Sequence, residues 1–397
     1  MPETTANFQA TENIGDKHKL LGLDHLRAIA ISYVLLFHYQ FFGHPAWVRK
    51  VAGFGWSGVD LFFVLSGFLI SGQLFATIAK GGQISLSEFF IKRFFRIIPP
   101  FLVVVILYAS LPSVREWGHL SPLWRYLTFT LNFGLNLKEE GTFSHAWSLC
   151  VEEQFYLVLP LMFLLFSYLK AGKKTVYIIM TLFIGGFIIR QWSWNHFIVP
   201  VLDNDNYGAY WNEYIYYPTY NRLDSLLVGV SIAGIYTFYP KIKEWINARS
   251  NWVLLIGVVL LVIAGFICKG YSTYNTGMWG FPLVGLSYGL ILAAVVCPSS
   301  FVYHFKSFVT SWLATLSYSI YLSHKIVIHV TQNWLSSLGM NKDSNLMMLV
   351  SMIAVVAAAL VMRYAIEKPA LKLRDVVLSR LKRNKKSKSQ ESPVSIW

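Results

Sequence analysis

Three apolar runs constrain this chain more than anything else in it: LFFVLSGFLISGQLFATIA (61–79), VLLIGVVLLVIAGFIC (253–268) and LMMLVSMIAVVAAALVM (346–362). Each is long enough, or nearly so, to cross about 30 Å of hydrocarbon as a helix rising about 1.5 Å per residue. Inside a bilayer the backbone finds no water, so each segment must satisfy its own amides, as a helix does. Charged residues make up 14% of the chain, against about a quarter in soluble domains, which points to lipid as the main solvent. The expected fold is all-α and polytopic, with about ten transmembrane helices near 20–42, 57–79, 97–112, 146–169, 174–192, 219–239, 252–269, 278–297, 311–331 and 344–366. Residues 1–19 read as a polar cytoplasmic segment without a signal-peptide pattern, 20–370 as the membrane domain and 371–397 as a basic cytoplasmic tail.

Orientation follows from where lysine and arginine fall. One set of connections holds Lys17 and Lys19, then Lys80, Lys92, Arg93 and Arg96, then Lys170, Lys173 and Lys174, then Lys241, Lys243 and Arg249, then Lys306. The tail belongs to the same set. The opposite connections hold far fewer, and 193–216 holds none. By the positive-inside rule both termini are expected in the cytoplasm. The formal net charge of +14 is then a topology signal with an added attraction to anionic lipid in the bilayer, and no nucleic-acid partner is expected. Cys150, Cys268 and Cys297 show neither paired nor metal-ligand spacing, so they read as packing residues and no metal is expected.

Ionisable groups in the spans carry the chemistry, because each costs a few kcal/mol at the bilayer centre. In LDHLRAIAISYVLLFHY (23–39), Arg27 and His38 stand 11 positions apart. That is about three turns and 20°, so they share a face, roughly 16 Å apart along the axis. Arg27 then lies toward the cytoplasm and His38 toward the outside. At the outer level GVDLFFVLSGFLI adds Asp60, HAWSLCVEEQFYLVLP adds His145, Ser148, Glu152 and Glu153, and YNRLDSLLVG adds Arg222 and Asp224. LSYSIYLSH puts Tyr318, Tyr321 and His324 on one stripe at i, i+3. Such a set can let a carboxylate orient a histidine as general base. At the inner edge SEFFIKRFFRIIPPF presents Arg93 and Arg96, whose guanidinium forks match phosphate oxygens. A phosphate-bearing donor entering from the cytoplasm and an acid–base site near the outside would suit coenzyme A. A proton-coupled transporter or flippase for an anionic small molecule buries similar groups, although no internal repeat stands out.

LDHLRAIAISYVLLFHY, GVDLFFVLSGFLI, FFIKRFFRIIP, HAWSLCVEEQFYLVLP, RLDSLLVG, LSYSIYLSH and EKP, in that order, resemble the type-3 acyltransferase family of membrane O-acyltransferases over about residues 20–370. The resemblance implies an enzyme of the bacterial cytoplasmic membrane. It would take acetyl or another acyl group from cytoplasmic acyl-CoA, as co-substrate rather than permanently bound cofactor, to a hydroxyl of a carbohydrate or glycolipid acceptor. The family's motifs fall on Arg27 and His38, on Arg93 and Arg96, on Trp147, Ser148 and Glu152, and on Arg222 and Asp224. The expected mechanism has Arg27, Arg93 and Arg96 bind the donor and His38 act as catalytic base, oriented by Glu152 or Asp60. His145, Trp147, Ser148, Arg222, Asp224, Tyr321 and His324 are left to acceptor binding or support. The family often has glycine where Ala28 follows Arg27, a conservative change. Some members carry an external hydrolase-like domain; the short tail here leads to the expectation that the acceptor meets the membrane domain directly or through a partner. The 193–216 stretch, rich in aromatics and amides, fits sugar stacking and an interfacial belt equally.

Overall fold

The computed structural model describes residues 20–168 and 175–390. The polar segment 1–19, Lys170, Lys173 and Lys174, and the end of the tail lie outside the described residues. Among these residues, a long helix lies at each of the ten expected stretches: α1 (Leu21–Tyr39), α2 (Ser57–Ala79), α3 (Leu86–Ser110), α4 (Trp147–Tyr168), α5 (Thr175–Ser193), α6 (Leu223–Phe238), α7 (Ser250–Ile267), α8 (Phe281–Val295), α9 (Phe308–Ser337) and α10 (Asn345–Met362). A last helix, α11 (Lys368–Gln390), continues from α10 through a π-helical turn at Arg363–Glu367. The described residues contain no β-strand, only a single bridge pairing Leu120 with Thr142. Seven helical stretches, those holding α1, α2, α4, α5, α7, α8 and α10, are long and apolar enough to cross a membrane. The chain is an integral membrane protein.

Three elements differ from their expected form, each for a local reason. The third was expected at 97–112, but α3 begins at Leu86 because Ser85 caps it, accepting the Glu88 amide at 3.4 Å. This is the Ser-x-x-Glu signature of a helix start. Lys92, Arg93 and Arg96 therefore ride on the helix rather than in a loop before it. The sixth, expected over 219–239, starts only at Leu223, after a 3-10 turn at Thr219–Asn221. It ends at Phe238 as expected, and Pro240–Ala248 leaves it at 105°, since proline at the first turn of a new helix cannot continue the old one. The ninth runs over 30 residues, capped by Ser307, which accepts the Thr310 amide at 3.3 Å.

α2 and α6 pack closest. A side-chain carbon at Gly67 would strike the Leu226 carbonyl, and one at Gly229 the Val64 carbonyl, so the two backbones touch through reciprocal glycines. α1 lies between α2 and α9. That position sets Arg27 and His38 toward the middle of the bundle.

Candidate functional site

Two cavities open along α1. The first, of about 130 Å³, is lined by Arg27, by Arg93 and Arg96 of α3, by Ser66 of α2, by Glu152 and Tyr156 of α4 and by Tyr318 of α9. The second, of about 430 Å³, is lined by His38, Trp56, Glu116, Trp117, Ser144, His145, Trp147, Asn212, Tyr216, Tyr271 and Lys325 among others. One helix thus carries the arginine into one chamber and the histidine into the other, as their shared face requires. The chambers adjoin at Val59, which borders both. Beside it Ser148 Oγ and Tyr321 OH are 2.6 Å apart, and Tyr321 donates to the His145 carbonyl at 2.7 Å. Ser148 and Tyr321 face the arginine cavity, Trp147 and His145 the other, so this hydrogen-bonded pair forms part of the wall between them.

In the arginine cavity, Glu152 accepts Ser66 Oγ at 2.9 Å and Tyr156 OH at 3.3 Å, and Arg93 lies over the Tyr156 ring. Arg27 has Asp24 one turn earlier, at 3.8 Å. Three guanidinium groups against one lining carboxylate leave this chamber with an excess of positive charge, of the kind that guanidinium forks present to anionic oxygen.

The histidine cavity is shaped by the 113–145 connection. Phe143 holds a left-handed backbone, φ 53°, and stacks on Tyr108 and Tyr126 with ring centres 5.0 and 5.5 Å away. A bulky residue in this region is strained and persists only where its surroundings over-determine it. Here the stacking holds the turn that projects His145 inward. Glu116 Oε1 accepts the Phe143 amide at 3.2 Å, while Lys325 reaches Ser144 Oγ at 3.2 Å and Glu116 at 3.9 Å. Both ring nitrogens of His145 and the second oxygen of Glu116 lack a protein hydrogen-bond partner. Buried polar atoms in that state are costly unless something in the cavity meets them.

Three imidazoles converge here, His38, His145 and His324, with ring centres 4.8 to 5.6 Å apart. They do not form a metal-ligating group among the described residues. His38 Nδ1 is hydrogen-bonded to His324 Nε2 at 2.9 Å. The hydrogen-bond partner of His38 is thus a histidine, whereas a carboxylate was expected to orient it. Glu152 lies in the other chamber, because it follows His145, in the turn before α4, by seven helical residues, about 10 Å along the axis. Asp60 is engaged elsewhere: both its oxygens accept Arg222 Nη2, at 3.0 and 2.9 Å, and one accepts Ser225 Oγ at 2.9 Å. Asp224 in turn pairs with Arg190 of α5 at 2.5 Å. These two buried pairs tie α2, α5 and α6 together behind the cavity wall, with Arg222 held against the rings of Phe281, Tyr216 and Trp147.

Of the residues expected from sequence, Arg27, His38, Arg93, Arg96, His145, Trp147, Ser148, Glu152 and Tyr321 line the two chambers, and His324 lies behind His38. Sequence reading missed Glu116, Arg190 and Lys325. The last two are cations inside apolar helices and were visible on that ground. Glu116 was not, since it sits in a connection with no periodicity. Of the 193–216 stretch and its continuation, Asn212, Tyr216 and Tyr217 line the histidine cavity.

The class of protein is a membrane-embedded helical domain with an arginine-lined and a histidine-lined chamber along one helix. The particular family is plain from sequence: residues 20–364 match the acyltransferase domain family, and the chain belongs to it. It is 28% identical over 331 residues to the peptidoglycan O-acetyltransferase OatA of Listeria monocytogenes, covering 78% of this chain and 49% of that protein. It is 29% identical over 344 residues to the O-acetyltransferase OatA of Staphylococcus aureus, covering 82% and 53%. The chain thus spans about half the length of the curated relatives it matches. No solved structure matches it.

Proposed function

We propose that this chain is an O-acyltransferase that moves an acyl group, most simply acetyl, from acyl-CoA on the cytoplasmic side to a hydroxyl of a cell-envelope glycan on the other. In this reading α3, α6 and α9 cross the membrane together with the seven apolar stretches, and both termini are cytoplasmic. The observation that carries the reading is that α1 brings Arg27 to one chamber and His38 to the other. Arg27, Arg93 and Arg96 bind the donor's phosphates, and the thioester extends toward the wall formed by Ser148 and Tyr321. These two must part for the acyl carbon to meet the acceptor.

The free nitrogen of neutral His38 takes the proton of the acceptor hydroxyl, and the oxygen attacks the thioester carbonyl. The C–S bond then breaks, and the coenzyme A thiolate recovers the proton from the imidazolium. If His38 itself is acylated first, the kinetics become ping-pong. The aromatic wall and the unpaired His145 and Glu116 atoms suit a sugar ring with its hydroxyls. That the Listeria relative is a peptidoglycan O-acetyltransferase supports a peptidoglycan-type acceptor.

The test is incubation of the purified chain in nanodiscs with radiolabelled acetyl-CoA and cell-wall glycan. Label is expected in the glycan with the native chain and not with His38→Ala. In vesicles, uptake of label without covalent transfer would overturn the reading in favour of a transporter.

A further inference from the structure

We infer that His324 is a positioning residue that fixes His38 in the tautomer a general base needs; the inference rests on the base role of His38 proposed above. It follows from the direction of three hydrogen bonds. His324 Nδ1 lies 2.8 Å from the Tyr321 carbonyl oxygen and 3.1 Å from that of Ile320. Carbonyl oxygens only accept, so Nδ1 carries the hydrogen. A neutral imidazole has one N–H, which leaves His324 Nε2 as an acceptor. That nitrogen is 2.9 Å from His38 Nδ1, so His38 donates from Nδ1. Its own Nε2, on the opposite edge of the ring, is left with a lone pair.

The backbone of α9 thereby dictates which nitrogen of His38 is basic, through one intervening ring. A carboxylate does the same work in a Ser-His-Asp triad. Here the orienting group is uncharged, which a buried site holds at less desolvation cost than an anion. His324 is fully buried and next to the cation Lys325, so its neutral form suits the place.

The arrangement also makes the two rings one titrating unit. A proton added to His324 Nε2 turns that nitrogen into a donor. His38 Nδ1 must then accept, its hydrogen moves to Nε2, and the base is lost. The groups facing the pair are His145 from the turn leading into α4, Tyr321 and Lys325 from α9, and Glu116 from the 113–145 connection.

The full chain in nanodiscs tests this with acetyl-CoA as donor and soluble muropeptides as acceptor. His324→Phe fills the volume but cannot accept; kcat should fall on the order of 10²-fold or more, with KM for acetyl-CoA unchanged. His324→Gln presents an amide oxygen near the position of Nε2 and should recover the rate to within about tenfold of the native chain. Two-bond hydrogen–nitrogen spectra of histidine-labelled native protein should show the His38 hydrogen on Nδ1, and on a mixture of nitrogens in His324→Phe. Native protein with that hydrogen on Nε2 would overturn the inference whatever the variants do. Unchanged kcat and pH profile in His324→Phe, with His38→Ala inactive, would overturn it too. An active His38→Ala would instead remove the base role beneath it.

Discussion

Replacing Asp60 with alanine separates a structural carboxylate from a catalytic one. Arg222 is 0% exposed at its side chain and Asp60 2%. Both carboxylate oxygens meet the same guanidinium nitrogen, at 3.0 and 2.9 Å, and Nε and Nη1 have no hydrogen-bond partner. Coulomb attraction at about 3 Å with an effective dielectric of about 20 is roughly 6 kcal/mol. The rings around Arg222, the nearest of them Phe281 at 3.8 Å, retain about 2 kcal/mol of cation–π attraction. Asp60→Ala should therefore cost about 3–5 kcal/mol, the usual range for stranding one member of a buried pair. Asp60→Leu with Arg222→Leu removes both charges and should regain most of that loss. The assay is unfolding of detergent-solubilised protein by denaturant titration, run beside acetyl transfer by the same samples. A cost below about 1 kcal/mol for Asp60→Ala would refute the electrostatic argument. A double variant that is as stable as the native chain yet inactive would return Asp60 or Arg222 to the chemistry.

Arg93→Ala or Arg96→Ala should each raise KM for acyl-CoA about 10- to 100-fold, the loss of one charge-assisted phosphate contact of roughly 1.5–3 kcal/mol, with kcat little changed; an unaltered KM would take the donor out of the arginine cavity. Tyr321→Phe deletes the hydroxyl that joins Ser148 to the His145 carbonyl and should loosen the wall. Acyl-CoA hydrolysis without acceptor should then rise severalfold over the native chain in a thiol-release assay, and a fall in that leak would contradict a barrier role. Transfer should decline as pH is lowered into the acid range, because a proton on His38 Nε2 occupies the lone pair that takes the acceptor's hydrogen. A rate that rises toward acid would have the wrong sign for a neutral base.

Hydropathy alone determined that helices lie at the ten stretches, since an apolar run in lipid has few other ways to satisfy its amides. It was less secure at α3, whose charged first half sits beside two prolines, and at the start of α6, where Thr219–Asn221 forms a separate 3-10 turn. Helical phase was enough to put Arg27 and His38 on one face of α1, and i, i+3 spacing to align Tyr318, Tyr321 and His324 on α9, because both are properties of a single helix. Depth along one helix was also readable in principle, and it moves Glu152 away from His145 by rise per residue.

Which side chains pair across the bundle was decided by tertiary structure alone. His38 meets His324 from 286 positions away, Asp60 meets Arg222 from 162 and Asp224 meets Arg190 from 34. Period and composition describe one helix at a time and say nothing of its neighbour's rotation or height. Those were set by contacts such as the reciprocal glycines of α2 and α6, and they assign Asp60 and Asp224 to ion pairs, Glu152 to hydroxyl partners, and an imidazole to His38.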